Sequence, residues 1–129
     1  IATSTALVYC PSNPLVSIGP VLALSGVRDA IASFAGPRIA VSPIVGGVAL
    51  RGPAAKMMAE LHEEVSCVGV ARRYVGTCDA MVIDTVDAAH APAIEMLGLR
   101  ASVTNTIMRT DHDKDALARH IVGLIEAWR

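Results

Sequence analysis

The stretch from residue 11 to residue 20 places uncharged hydrogen-bonding side chains directly after a short apolar run. Ser12, Asn13 and Ser17 follow residues 6–10, Ala-Leu-Val-Tyr-Cys, which are typical of a buried strand. No residue from 1 to 27 is charged, so a ligand here would meet hydroxyls, an amide and backbone N–H groups. Such groups suit phosphate oxygens or the edge of a nucleobase. The alternative is a turn in which Ser12 and Asn13 bond only nearby backbone.

A second candidate site lies in the glycine-rich stretch 46–53. Gly46 and Gly47 let the backbone approach a ligand closely, and Arg51 and Lys56 flank the predicted start of a helix. No acidic residue stands among them, and a basic residue at a helix N-terminus opposes the helix dipole unless an anion is bound. The pattern indicates an anion site. The alternative is a glycine turn with two solvated basic side chains.

Two further positions carry weaker signals. Arg72 is placed to reach a phosphate or a carboxylate, or else it is a solvated surface arginine. Asn105, with a threonine on either side, follows the last predicted strand, so it lies at a ligand edge or at a purely structural strand end. We assign no catalytic residue, and the candidate binding residues are Ser12, Asn13, Ser17, Gly46, Gly47, Arg51, Lys56 and Arg72.

Several patterns predict no site. Asp111, Asp113 and Asp115 alternate as in a calcium loop, but the glycine and the bidentate glutamate of such loops are missing, so these residues fit a helix start. Cys10 is expected to be a buried, inert thiol inside its strand. We expect surface positions for the four histidines, which share no metal-ligand spacing and pair with no plausible nucleophile: His62, His90, His112 and His120. We therefore expect no metal ligand on this chain.

Short apolar runs bounded by turn residues predict four strands, at 6–10, 38–42, 80–84 and 101–104. Helices are predicted at 25–34 with Ser25 as the N-cap, at 53–63 with Pro53 as the first residue, and at 68–76, 87–97 and 113–128. This alternation predicts an α/β fold with three Rossmann-like layers and a mostly parallel sheet. Ligands of such sheets bind beyond the carboxyl ends of the strands.

Composition narrows the class of protein further. The chain has 129 residues, of which 53% are apolar, and a net charge of −1, as expected of one domain with no bulk field for nucleic acid. No apolar run approaches the roughly 20 residues of a membrane helix, so we expect neither nucleic acid nor membrane as a partner. Three cysteines without metal-type spacing favour reduced thiols in the cytoplasm. Because the chain begins with Ile1 and not Met, we expect a piece of a longer reading frame.

The same segments resemble a known family. Residues 12–20, Ser-Asn-Pro-Leu-Val-Ser-Ile-Gly-Pro, are similar to a signature in the second half of the 2-phospho-L-lactate transferases, the CofD/FbiA enzymes of coenzyme F420 biosynthesis. The resemblance continues through residues 41–47, 52–58, 68–72 and 104–109, in family order and at family spacing. It implies that residues 1–129 form the C-terminal part of a CofD-like domain, an incomplete fragment of a larger fold. Val48 stands where the family favours lysine, and Asn105 where it favours aspartate.

The resemblance implies a transferase. A 2-phospholactyl or enolpyruvyl-phosphate group, activated as its guanosine diphosphate diester, would pass to the deazaflavin Fo with release of GMP. Mg²⁺ is implied as a cofactor with its ligands outside this fragment, the partners are small-molecule substrates, and a homodimer is an assembly that the resemblance allows. We expect the fragment alone to be inactive. The alternatives are a CofD-like nucleotide-binding regulatory module without transferase activity and a partial gene product with no activity.

Overall fold

The parallel sheet forms where the sequence is most apolar. The computed structural model describes residues 1 and 3–128. The sheet consists of β1 (Leu7–Tyr9), β2 (Arg38–Val41), β5 (Ala80–Asp84) and β6 (Arg100–Thr104). All neighbouring strands are parallel and their order is β1-β2-β5-β6. The four predicted strands and the mostly parallel α/β architecture are confirmed.

A small antiparallel hairpin interrupts this pattern and was not predicted. It pairs β3 (Ile44–Val45) with β4 (Val48–Ala49). Gly46 and Gly47 form the two-residue turn with φ angles of 58° and 78°. A tight hairpin turn with both central residues in the left-handed region suits glycine, because a side chain is strained there.

Helix α1 was not predicted, and the other helices lie near their predicted positions with several corrections. They are α1 (Gly19–Leu22), α2 (Val27–Ala32), α3 (Ala54–Glu60), α4 (Cys67–Tyr74), α5 (Ala91–Glu95) and α6 (Asp111–Ala127). Gly26, and not Ser25, is the N-cap of α2, without a side-chain cap bond. The predicted helix 87–97 is instead a 3₁₀ segment, Thr85–His90, followed by α5, and Pro92 lies in the first turn of α5. Pro53 precedes α3 as its N-cap, and α3 ends earlier than predicted.

Side chains alternate between two cores on opposite faces of the sheet. Ala40, Met81 and Ile83 belong to the larger core, which includes residues of α3, α4 and α5. Ile39 and Val82 belong to the smaller one, which α6 covers. Because successive strand residues point to opposite faces, this alternation places the sheet between two helical layers. The three predicted layers are present.

Helix α6 is fixed at both of its ends. Its N-terminus carries a capping box, in which the Thr110 hydroxyl accepts the Asp113 N–H and the Asp113 carboxylate accepts the Thr110 N–H. At the other end, the Arg100 guanidinium lies 4.2 Å from the centre of the Trp128 ring. The acidic residues near position 111 are therefore helix-start residues, as predicted.

A candidate substrate-binding edge

The carboxyl ends of the four parallel strands meet at one edge of the sheet. The loop after β1 contains Ser12 and Asn13, Ser42 follows β2, Asp84 is the last residue of β5, and Asn105 follows β6. Ligands of parallel sheets bind at this edge, where loops can vary without disturbing the strands. Most of the candidate residues from the sequence lie in these loops.

Asn13 organises the loop after β1. Its Oδ1 accepts hydrogen bonds from the Leu15 N–H at 2.9 Å and the Val16 N–H at 3.3 Å, and so caps a π-helical turn over Pro14–Ile18. This is the structural use of Asn13 that the sequence left open as an alternative. Ser12 is half-buried and Ser17 is exposed. Neither hydroxyl has a hydrogen-bond partner among residues 1 and 3–128, so both are free to bind a ligand.

The π-helical turn packs on α3, which brings two of the predicted loops together. The Asn13 amide nitrogen lies 3.6 Å from the Met57 sulfur, and the turn and α3 are neighbours in the fold. Lys56 lies next to Met57, with its side chain 78% exposed and its ammonium 3.7 Å from the Glu60 carboxylate. Arg51 is exposed on the loop between β4 and α3. An exposed pair of this kind contributes little to stability, so Lys56 remains available to an anion. Arg51 forms no ion pair with another described residue.

The buried carboxylate of Asp87 binds the glycine turn at Gly46. The Gly46 N–H donates to both oxygens of Asp87, at 3.1 and 3.0 Å. Asp87 is 5% exposed and lies in the 3₁₀ segment after β5. The Gly46 N–H is therefore not available to a ligand. Gly47 is exposed, and none of the described residues accepts a hydrogen bond from its N–H.

A second buried carboxylate, that of Asp84, ties the end of β5 to the end of β6. One oxygen accepts from the Val86 N–H at 3.0 Å, and the other accepts from the Thr106 N–H at 2.7 Å. The hydroxyls of Thr85 and Thr106 also donate hydrogen bonds to the Asp84 carboxylate. Burial favours the neutral acid, but the four hydrogen bonds outweigh it and lower the pKa of Asp84. Asp84 is thus an ionised structural anchor beneath the loop that contains Asn105.

Sequence reasoning missed Asp84 and Asp87 as elements of this edge. The signal that points to them is an aspartate at the end of a fully apolar strand, with a second aspartate three residues later. Asn105 itself is exposed, and its Oδ1 accepts the Ile107 N–H at 3.2 Å. It forms a local turn, which favours the structural interpretation of that strand end.

Arg72 is not part of this edge arrangement. It lies in the last turn of α4, and its guanidinium pairs with Glu64, while Arg73 pairs with Glu63. These four side chains line a groove of about 290 Å³ with His62 and Gly69. A Cβ at Gly69 would lie 1.9 Å from the Glu64 carbonyl oxygen, so this glycine permits close packing of α4. The position gives Arg72 a structural partner.

Two predictions from the sequence are wrong. Cys10 is exposed, because β1 ends at Tyr9 and the chain turns towards Pro11. His120 is half-buried and does pair with a hydroxyl, since its Nε2 lies 2.8 Å from the Ser102 Oγ. That pair joins α6 to the middle of β6, away from the carboxyl edge. The Cys67 and Cys78 thiols are buried, which raises the pKa of each to about 11.

Among residues 1 and 3–128, no three His, Cys, Asp or Glu side chains lie close enough together to hold a metal ion. Over the same residues, the helices are too short or too polar to cross a membrane.

The sequence of the chain was compared with models of known protein families. The family model described as 2-phospho-L-lactate transferase CofD matches residues 1–127. The chain belongs to the CofD family. Resemblance to CofD proteins was therefore a correct interpretation of the sequence.

Curated relatives carry two names. The chain is 40% identical to a phosphoenolpyruvate transferase of Streptomyces griseus, over all of this chain and 41% of the relative. It is 42% identical to a 2-phospho-L-lactate transferase of Methanosarcina acetivorans, over 90% of this chain and 37% of the relative. A 2-phospho-L-lactate transferase of Methanocaldococcus jannaschii is 40% identical, over 95% of this chain and 38% of the relative. The chain spans about two-fifths of the length of these relatives.

Proposed function

We propose that this chain supplies part of the substrate-binding edge of a transferase. The enzyme moves a 2-phospholactyl or enolpyruvyl-phosphate group from its guanosine diphosphate-activated form to the deazaflavin Fo. The observation that carries the proposal is the family match over residues 1–127, together with the uncharged hydroxyls and exposed cations at the carboxyl edge of the sheet. Because its relatives are named for either donor group, the proposal covers both.

The chemistry asks the protein mainly for positioning and charge neutralisation. The oxygen of the terminal ribityl hydroxyl of Fo attacks the phosphorus that carries the lactyl or enolpyruvyl group. The bond from that phosphorus to the bridging oxygen breaks, GMP leaves with the bond electrons, and the hydroxyl proton passes to solvent. In this chain the Ser12 and Ser17 hydroxyls and the Gly47 N–H suit the diphosphate oxygens, and Arg51 and Lys56 suit its charge.

Magnesium does not fit the residues that the structure describes. Both oxygens of Asp84 are filled by N–H and hydroxyl donors, and no three-ligand cluster occurs in the described part of the chain. Mg²⁺ is therefore proposed only for the longer polypeptide, with ligands outside residues 1–129. We derive no step through it.

Three further proposals concern the isolated chain and the longer protein of which it is a part. The isolated chain is expected to release no GMP, since it spans about two-fifths of its relatives. A cytoplasmic location is supported by three free cysteines. A homodimer is proposed for the longer protein, and light scattering of that protein measures it.

The experiment that tests the function is a chimera. Residues 1–129 replace the matching segment of the Streptomyces griseus relative, which the chain matches over its whole length, and GMP release is followed with the donor and Fo present. Release that requires both substrates supports the transferase. A folded chimera that binds guanosine diphosphate without transfer supports the regulatory nucleotide-binding module instead.

Variants locate the site within the chimera. Arg51→Ala with Lys56→Ala should lower kcat/KM for the donor by about tenfold or more, which is about 1.4 kcal/mol of lost transition-state binding. Lys114→Ala with Arg119→Ala removes two exposed cations from α6 and is the matched control. An equal loss in both double variants would mean that bulk charge, and not this edge, binds the donor.

A further inference from the structure

The β3–β4 hairpin is too small to hold its own shape. Each strand has two residues, and isolated hairpins are marginal even when much longer. Ile44 and Val45 are buried, but the turn that follows them is exposed. Something else must fix the direction of the turn.

The Asp87 carboxylate provides that contact. Both of its oxygens accept the single Gly46 N–H, and no Lys, Arg or His of the described residues forms an ion pair with it. A buried carboxylate with one hydrogen-bond donor carries a desolvation cost. The 3₁₀ segment that bears it contacts α4, near Cys67, and the N-terminus of that helix favours a nearby negative charge.

Because of this contact, the N–H groups of Gly46 and Gly47 differ in whether they can bind a ligand. The Gly46 N–H points back to Asp87, while Gly47 is exposed and its N–H has no acceptor among residues 1 and 3–128. A diphosphate at this edge can therefore bind the Gly47 N–H but not the Gly46 N–H. Both glycines were candidates on the sequence alone.

We propose that Asp87 is a positioning residue, which fixes the Gly46-Gly47 turn so that Gly47 donates its N–H to the diphosphate of a guanosine nucleotide. The inference rests on the proposed function, because it names which backbone group of that edge meets the ligand. Asp87 does not contact the ligand. Its negative charge opposes anion binding, so its benefit is geometric.

The test uses the chimera described above, labelled with ¹⁵N-glycine, and guanosine diphosphate, with the amide signals of Gly46 and Gly47 as readouts. Without ligand, the Gly46 amide should exchange with solvent about tenfold more slowly than the Gly47 amide, because it is hydrogen-bonded to a buried group. Guanosine diphosphate should shift the Gly47 signal more than the Gly46 signal. Asp87→Ala should remove the protection of Gly46 and weaken binding by about tenfold.

Asp87→Asn separates geometry from charge and is available if the alanine variant does not fold. Its side-chain oxygen still accepts the Gly46 N–H, so protection should remain. The Gly46 proton signal should move upfield, because a neutral amide is a weaker acceptor than a carboxylate. Binding should be unchanged or up to about threefold tighter, because a repulsive charge is gone. Asp111→Ala, on an exposed carboxylate of α6, should change none of these readouts.

The outcomes separate the inference from the proposed function. If guanosine diphosphate binds but leaves Gly47 unshifted, or if binding and Gly46 exchange are the same in wild type and Asp87→Ala, the inference is wrong and the proposed function stands. If guanosine diphosphate shifts no signal of the unmutated chimera, the proposed nucleotide site fails and the inference fails with it.

Discussion

The two ends of strand β5 each carry an aspartate, and the two are satisfied by different chemistry. Asp79, just before the strand, accepts from the Arg38 guanidinium through both oxygens, with the Arg38 Nε at 2.8 Å. Asp84, at the other end, is satisfied by two backbone N–H groups and two hydroxyls. At the amino end, charge is neutralised within the protein. At the carboxyl end it is not, because Asp84 forms no ion pair with a Lys, Arg or His of the described residues.

The largest effect is expected from Asp84→Ala. The substitution leaves the buried Thr106 N–H and the part-buried Val86 N–H without acceptors, and should lower the free energy of unfolding by about 3 kcal/mol. Urea unfolding of the chain measures it. Asp29→Ala, on an exposed face of α2, is the control and should cost less than about 0.5 kcal/mol. Equal losses in both variants would remove the distinction between the two carboxylates.

At the amino end, Arg38→Ala should cost about 2 kcal/mol, less than the loss of Asp84. The Arg38 and Asp79 side chains are 18% and 26% exposed, so water replaces part of the lost interaction. The double variant with Asp79→Ala isolates the pair through a double-mutant cycle. A coupling energy near zero would show that this end is held by packing alone.

Acid should weaken both ends. The hydrogen bonds and charge of Arg38 lower the pKa of Asp79, and hydrogen bonding lowers the pKa of Asp84 in spite of its burial. Because each folded-state pKa lies below the ordinary value of about 3.9, the unfolded chain binds more protons in acid. The stability is therefore complete above about pH 4 to 5 and is lost as the pH falls through the folded pKa values. Urea unfolding between pH 7 and pH 2 should show this decline, with a shallower slope in Asp84→Asn. An unchanged slope in that variant would contradict the lowered pKa of Asp84.

The smallest expected effect concerns two tyrosines near the amino end. The Tyr9 hydroxyl donates to the Thr77 carbonyl oxygen at 2.9 Å, whereas the buried Tyr74 hydroxyl has no partner among residues 1 and 3–128. Tyr9→Phe should cost about 1 kcal/mol, and Tyr74→Phe should be neutral or slightly stabilising because no hydrogen bond is lost. Thermal unfolding of both variants measures the difference. The reverse order would contradict the assigned partners.

The sequence predicts features that depend on neighbouring residues, and it does not predict contacts between residues that are far apart in the chain. The four strands were predictable because each is a local apolar run, whereas the contiguous apolar residues at the start of α4 left that stretch ambiguous, and a short helix was only favoured. The hairpin was not predictable, because two-residue strands show no periodicity. Asp87 finds its partner Gly46 41 residues away, and Thr106, which donates to Asp84, lies 22 residues away. A local pattern marks the two aspartates, but it does not reveal these distant partners. The Ser102–His120 pair was not predicted for the same reason, because its two residues are 18 positions apart.

The binding loops show the same limit. The sequence located the hydroxyls and glycines of the edge, because a strand followed by small polar residues is a local signal. It could not tell that the Asn13 oxygen and the Gly46 N–H are used internally. Family resemblance supplied the order of the blocks but not these contacts.

The order of the sheet also bears on how the chain folds. From β1 to β6, every sheet strand pairs with the sheet strand that precedes it in the chain, and none is inserted between earlier ones. During synthesis each strand can therefore dock on an edge that already exists. Since β6 and α6 follow β1, β2 and β5 in the chain, we expect them to dock after these three strands have assembled.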